Sequence, residues 1–287
     1  MKIALYGGSF DPPHLGHDGV VKVVLANLVI DKLIIMPTFI NPFKSDFCAP
    51  PELRLKWVKK IWQNLDKVEI CDYEILQNRP VPSIESVLWL KKKYDIEKLY
   101  LIIGADHLSS LHLWDEFERL KNLVKFVVVA RDGIKIPPNL QKIDLNVNIS
   151  STKIRNLISE DGILPQIRES VIKFYQGLKM EKRVKAITEL LDTKKAENIE
   201  VIDMSEKEYM AKFVIIATTL TGRHALSLVD DLKEVLKPFK EKFLNIESSD
   251  EWSVIDLGDI IVHLMSETYR EKYNIEEFLE KLKKEQI

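Results

Sequence analysis

The feature that most restricts the fold of the first 180 residues is an alternation of short apolar runs with segments of helical period. The runs are KIALY (2–6), KLIIMPT (32–38), VEIC (68–71), LYLIIGAD (99–106) and KFVVVA (125–130). Between or after them come HDGVVKVVLANLV (17–29), PELRLKWVKKIWQNL (51–65), SIESVLWLKKKY (83–94) and LWDEFERLKNL (113–123). Strands that are apolar throughout need cover on both faces, and crossover helices between parallel strands supply it. The pattern therefore predicts an α/β domain with a doubly wound parallel sheet. Pro51 suits the first turn of its helix. Ser83, three residues before Ser86, predicts a weak form of capping box. The helices STKIRNLIS (151–159) and PQIRESVIKFYQGL (165–178) close this part.

The pattern then changes. A charged helix, EKRVKAITELLDTKKA (181–196), is followed by the strands IEVID and KFVIIAT, the helix GRHALSLVDDLKEVLKPF and three strands, FLNIE, WSVIDL and DIIVHLM. One last helix, YREKYNIEEFLEKLKK (269–284), ends the series. This order predicts a smaller α+β domain with a mixed sheet, giving domains 1–179 and 180–287 and a short helical linker around 177–183. Met180 reads as the former start of a fused gene.

Net charge is −2 overall, but residues 180–287 hold 17 Lys and Arg against 23 Asp and Glu. The basic remainder suits an anionic small substrate. The acidic second part argues against direct or sequence-specific nucleic-acid binding and suits a basic protein partner. The most apolar stretch, VVKVVLANLVI (20–30), is too short to span a bilayer and is broken by Lys22. No basic segment precedes an apolar core at the N-terminus, so no signal peptide or membrane partner is expected and the location is expected to be cytoplasmic. Cys48 and Cys71 stand far apart without a CxxC spacing, which predicts two reduced, buried thiols and no zinc.

The chemistry concentrates in GGSFDPPHLGH (7–17), where the first strand hands over to the first helix. Free backbone N–H groups and the positive end of a helix make such a junction an anion site. Gly7 and Gly8 allow the backbone to approach a phosphate. The stretch is neither GxGxxG nor GxxxxGK[ST], so dehydrogenase-type dinucleotide binding and P-loop chemistry are disfavoured. His14 and His17 share one face of the helix start and can donate hydrogen bonds to a phosphate oxygen as it gains charge.

GGSFDPPHLGH resembles the signature of nucleotidyltransferases that carry (H/T)xGH, and ISSTKIR (149–155) resembles their C-terminal (S/T)xx(K/R) run. GADHLSSLHLW (104–114) is similar to the GxDxLxxLxxW pattern of the nicotinate-mononucleotide adenylyltransferases. The resemblance covers residues 1 to about 178 and implies a Rossmann-like nucleotidyltransferase domain. It implies a reaction in which the 5′-phosphate of nicotinate mononucleotide attacks the α-phosphorus of ATP in line, with positioning and charge stabilisation as the means. It implies catalytic roles for His14, His17 and Arg155. Gly7, Gly8, Ser9, Phe10, Ser151 and Thr152 would lie along the phosphates, and Lys44 would meet a substrate phosphate. Asp106 would take a ribose hydroxyl, Trp114 would stack on the pyridine ring and Ser83 would belong to the acceptor site. Magnesium would come with ATP, with no metal site of the protein's own.

Two departures from the family pattern fall near the expected pyridine end. NPFK (41–44) has Phe43 where NPxHK-type relatives have His, and VPSIES (81–86) has Pro82 where SYTxDT-type relatives have Tyr. The acid ring is the expected preference. Nicotinamide mononucleotide or phosphopantetheine remain alternative acceptors, and a ribosome-binding protein that senses nucleotide without turnover remains a third reading.

Residues 181–278 resemble the ribosomal silencing factors (the Iojap-like family), through LLDTKKAENIEVIDM, KFVIIATTLTGRHALSLVDDL, WSVIDLGDIIVHLM and REKYNIEEF in collinear order. That resemblance implies binding to a basic protein of the large ribosomal subunit, which blocks subunit joining and represses translation. Both families suggest a homodimer. Trp252 and Tyr273, with the surface around 252–265, are the candidate contacts. Asp203, Asp256 and Asp259 are weaker candidates for magnesium, and His224 and His263 are expected to be structural.

Overall fold

A computed structural model describes residues 1–44, 46–130, 133–145, 149–158 and 160–284. Six strands form one parallel sheet: β1 (Lys2–Gly8), β2 (Lys32–Pro37), β3 (Val68–Ile70), β4 (Lys98–Gly104), β5 (Lys125–Val129) and β6 (Gln141–Ile143). Their order is β3-β2-β1-β4-β5-β6. The order reverses between β1 and β4, and in open α/β sheets ligands bind at the carboxyl ends of the strands beside such a reversal. Gly7 and Gly8 end β1 there, and Gly104 ends β4.

The strands are apolar throughout because each face has its own core. Ala4, Tyr6, Leu33, Ile35, Tyr100 and Ile102 pack against Val20, Val21 and Val24 of α1 (Leu15–Asn27) and Val58 and Trp62 of α2 (Pro51–Trp62). After the short helix α3 (Tyr73–Leu76) comes α4 (Ser83–Lys93), and after β4 comes α5 (Phe117–Leu123). Ile3, Leu5, Ile34, Met36, Leu101 and Ile103 face Ile84, Val87 and Leu90 of α4 and Leu120 of α5. Successive side chains of a strand point to opposite faces, so the two sets interleave.

Pro51 occupies the first turn of α2 as expected. The capping box at α4 does not form: Pro82 is the N-cap without a side-chain bond, and Ser86 Oγ donates to Glu74 instead. The helix expected over 113–123 begins only at Phe117, because Glu116 sits at φ 48° in the left-handed region. α6 (Ser151–Leu157) ends at Ile158, also left-handed. Ser159, the last residue expected in that helix, lies outside the described residues.

The helices expected at 165–178 and 181–196 are one, α7 (Arg168–Thr193), with Met180 buried within it. The expected boundary at 179/180 therefore falls inside a helix. By its contacts the chain divides into Met1–Gln176 and Gly177–Ile287.

The second unit holds β7 (Glu197–Asp203), β8 (Phe213–Thr218), α8 (Gly222–Leu236), β9 (Asn245–Ser248), β10 (Trp252–Asp256), β11 (Ile260–Met265), α9 (Glu267–Tyr273) and α10 (Ile275–Lys284). Its sheet runs β7-β8-β11-β10-β9 and is mixed: β8 and β11 are parallel and the other pairs antiparallel. Ala225, Leu228, Val229, Leu232 and Leu236 of α8 cover one face with Ile187 and Leu191 of α7. Leu279 of α10 packs on the other. The last expected helix is two, because Asn274 adopts φ 43°, a conformation that asparagine tolerates.

Cys71 is buried but Cys48 is only half-buried, and both are free thiols. Among the described residues no helix is long and apolar enough to cross a membrane.

Candidate active site

The turn after β1 ends in an unusual cap. His14 is the N-cap of α1, where Ser, Thr, Asp or Asn is usual. Its Nδ1 accepts the backbone N–H of Gly16 at 3.1 Å, and Nδ1 of His17 accepts the N–H of His14 at 3.2 Å. A capping box is thus built from two imidazoles instead of a hydroxyl and a carboxylate. Both Nδ1 atoms act as acceptors, so the proton of each neutral ring sits on Nε2. The rings stack with centroids 3.8 Å apart, and Phe10 backs His17 edge-on at 5.0 Å. A Cβ at Gly16 would lie 2.9 Å from the His14 ring, which is 1% exposed and has little room to retreat.

A buried network fixes the turn from beneath. The Asp11 carboxylate accepts the N–H groups of Cys48 (2.9 Å) and Ala49 (3.1 Å) and the hydroxyl of Tyr175 (2.5 Å). Burial, then the Asp11 charge and its hydrogen bond, push the Tyr175 phenol upward, so it remains the donor. Arg54, 1% exposed, donates to the carbonyls of Ser9 (2.5 Å), Phe39 (2.6 Å) and Ala49 (2.9 Å). Burial lowers the affinity of Arg54 for its proton, and the nearby Asp11 charge opposes that effect.

The ISSTKIR segment docks on the same turn. Ser150 caps α6 by accepting the N–H of Lys153, Ser151 Oγ donates to the Pro12 carbonyl at 3.0 Å, and Arg155 donates to the Asp11 carbonyl at 2.5 Å. A second guanidinium nitrogen of Arg155 reaches Thr152 Oγ1 at 3.0 Å. The two quoted motifs therefore meet, with part of the donor capacity of Arg155 already used to hold them together.

Two clefts of about 300 Å³ each open beside the sheet's reversal point. One is lined by Ser9, Phe10, His14, His17, Lys44, Asp106 and Ser151, together with the strand ends at Gly7, Gly8 and Gly104. The other is lined by Thr38, Phe43, Glu74, Pro82, Ser83 and Trp114. They share Gly7, Gly8, Asn41 and His107. Thr152 and Arg155 line neither. Gly104 leaves room for Asp106, whose Oδ1 would lie 2.2 Å from any Cβ there. His107 stands 3.9 Å from the Asp106 carboxylate and meets the Trp114 ring edge-on at 5.8 Å. In the second cleft Thr38 Oγ1 and Trp114 Nε1 are buried without a hydrogen-bond partner among the described residues. Polar atoms left so are costly, about 1–3 kcal/mol each, unless a ligand completes them.

Residues 5–157 match the family model "Cytidylyltransferase-like". A protein of Campylobacter fetus named "Probable nicotinate-nucleotide adenylyltransferase" is 58% identical over 176 residues, which is 61% of this chain and 97% of that protein. This chain belongs to the nicotinate-nucleotide adenylyltransferase family. A relative of the same name from Nitratiruptor sp. is 47% identical over 177 residues, 62% of this chain and all of its own length. The solved Plasmodium falciparum nicotinic acid mononucleotide adenylyltransferase complexed with NaAD shares the fold. It is 22% identical with a TM-score of 0.52, over 61% of this chain and 97% of that one. Residues 178–287 match the model "Ribosomal silencing factor during starvation".

In the adenylyltransferase part, sequence reading missed Asp11, Thr38, Asn41, Arg54, Glu74, His107 and Tyr175. Asp11 lies inside the quoted turn, and its place before two prolines could have marked it. Arg54 and Tyr175 carried no signal, since each looks like a surface residue of an amphipathic helix. In the silencing-factor domain the three aspartates serve other ends. Asp203 accepts the N–H of Ser205, Asp256 that of Gly258, and Asp259 pairs with Arg183. Among the described residues no group of three His, Cys, Asp or Glu could hold a metal ion. His224 bridges the Leu220 N–H and the Lys194 carbonyl, a structural task. β11 is central and mostly buried, so most of the 252–265 segment offers no surface. The aromatic group beside it, Trp252 with Tyr269 and half-exposed Tyr273, does.

Proposed function

We propose that the first unit joins nicotinate mononucleotide to the adenylyl group of ATP, giving nicotinate adenine dinucleotide and pyrophosphate. The observation that carries the reading is the pair of clefts meeting at Gly7, Gly8, Asn41 and His107. One suits a triphosphate and the other a flat ring, and their junction is where two phosphates must meet. The histidine side supplies imidazole donors and a helix N-terminus for anionic oxygens. The other side supplies Trp114 for a ring face, and the uncapped first amides of α4 at Ser83 and Ile84 for a carboxylate.

In this reading an oxygen of the mononucleotide's 5′-phosphate forms the new bond to the α-phosphorus of ATP. The bond from that phosphorus to the bridging oxygen breaks, and pyrophosphate leaves with the electron pair. His14 and His17 bind the triphosphate and stabilise charge that grows on its oxygens, each well-placed donor contributing on the order of 3 kcal/mol. Lys44 offsets phosphate charge. Asp106 orients a ribose hydroxyl. Arg155 and Ser151 hold the turn in shape through the Asp11 and Pro12 carbonyls, and Thr152 steadies Arg155. The donor set fits magnesium that enters on the triphosphate: Ser9 and Asp106 provide hard oxygen atoms in that cleft, and the ion supplies neutralisation of phosphate charge.

The second unit, in the same proposal, binds a basic protein of the large ribosomal subunit and blocks subunit joining. Its family match and its acidic balance support this reading. Release of pyrophosphate from ATP and nicotinate mononucleotide tests the first half, and co-sedimentation of the same preparation with large ribosomal subunits tests the second. A preparation that turns over but stays in the supernatant removes the ribosomal half alone.

A further inference from the structure

The cleft assigned to the pyridine ring contains a carboxyl group that the reaction does not use. Glu74 of α3 lines that cleft and is 6% exposed. Its Oε1 accepts the hydroxyl of Ser86, from α4, at 2.6 Å. Among the described residues no Lys, Arg or His forms an ion pair with it. The nearby guanidinium of Arg79 is committed to Glu85 by two hydrogen bonds, at 2.7 and 3.2 Å. The other titratable groups around it are Tyr73 and the N-cap residue Asp72 on its own helix, Glu85 on α4, and His107 and Asp115, which line the same cleft. Burial pushes the Glu74 carboxyl up to about 7, against the hydrogen bond from Ser86 and with the Glu85 charge adding to the rise. The wall of this cleft is thus neutral in mild acid and gains a negative charge in mild alkali.

We propose that Glu74 is a specificity-determining residue whose protonated form admits the carboxylate-bearing pyridine ring and whose ionised form repels it. The proposal rests on the reading of this cleft as the pyridine-nucleotide site. An amide-bearing ring has no net charge on its substituent and is indifferent to the change. The preference for the acid ring over the amide ring is therefore greatest below neutrality and shrinks as pH rises. By linkage, nicotinate mononucleotide takes up protons when it binds near pH 7, beyond any taken up by the amide form.

The test is a pair of pH profiles, from 6 to 8.5, of KM for nicotinate and nicotinamide mononucleotides, with ATP saturating. The phosphate of both substrates titrates alike, so the ratio of the two KM values isolates the ring. In the unaltered protein that ratio rises roughly fivefold in favour of the amide across the range, as expected for like charges at this depth. Glu74→Gln keeps the oxygen acceptor and cannot ionise, and it flattens the ratio. Ser86→Ala removes the bond that favours the ionised form and moves the inflection to higher pH, which keeps the test open where the Gln variant does not fold. A flat ratio in the unaltered protein, or an unchanged rise in Glu74→Gln, overturns the proposal alone. Absence of turnover with either mononucleotide overturns the reading of the cleft and takes the proposal with it.

Discussion

The guanidinium of Arg155 donates to the backbone carbonyl of Asp11 at 2.5 Å across 144 positions of sequence. The bond ties α6 to the turn that presents the histidines. A charged donor on a carbonyl contributes about 1.5–3 kcal/mol. Arg155→Ala is expected to lose stability of that order in urea denaturation and to lower kcat by about tenfold or more, as removal of one transition-state donor or its support does. A variant with native turnover would show that the strut and the chemistry are independent.

His17 does two things that substitution can separate. Its Nδ1 accepts the N–H of His14, and its ring lines the cleft beside Gly7 and Gly8 that the proposal gives to the triphosphate. His17→Ala is expected to cost about 1 kcal/mol as a lost cap and to lower kcat at least about tenfold. His17→Gln places a capping-box residue at the same position and is expected to recover most of the stability but not the rate. Thermal denaturation beside pyrophosphate release reads both. Full recovery of rate by Gln would reduce His17 to a cap.

Tyr175→Phe removes one of three donors from the buried Asp11 carboxylate and leaves its size nearly unchanged. The expected loss is about 1–3 kcal/mol, with KM for ATP raised because the turn is less well held. Equilibrium urea curves that overlay those of the unaltered protein would contradict the bracing role given to this network.

His263 in the silencing-factor domain is half-buried and accepts Trp252 Nε1–H at 3.1 Å, and desolvation lowers it to about 4, opposed by the charge of Glu276. A depressed base is neutral in the fold and takes a proton more readily when unfolded. Its contribution is complete above the unfolded value near 6.5 and is lost as pH falls from there to about 4. The whole window is worth up to about 3 kcal/mol at 1.36 kcal/mol per pH unit. Urea denaturation at pH 7.5 and 5 is expected to show somewhat more than half of this loss, and His263→Gln to reduce it. Equal pH slopes in both proteins would assign the loss to other groups.

The parallel sheet was legible because its central strands β1, β2, β4 and β5 are apolar on both faces, whereas the strand order, and with it the reversal between β1 and β4, appears only in the fold. α3, with four residues, and β6, with three, are too short to show a period. The ends of α5 and α9 were misjudged because Glu116 and Asn274 leave the helical region without a glycine to announce it. At the site, His14, His17, Lys44, Asp106 and Trp114 were readable from the motifs, and Thr38, Asn41, Glu74 and His107, which line the same clefts, were not. Those that hold them were not, since Arg54 and Tyr175 act through backbone carbonyls and one buried carboxylate that only the folded chain brings within reach.

Arg54 gives the loops around the histidines a common anchor, because a single planar group binds Ser9, Phe39 and Ala49 at once. Anyone moving the glycine-rich turn into another scaffold must transplant that arginine and its three acceptors along with the motif. A lysine in its place would present one tetrahedral ammonium to oxygens spaced for a fork, and the borrowed turn would arrive without its template.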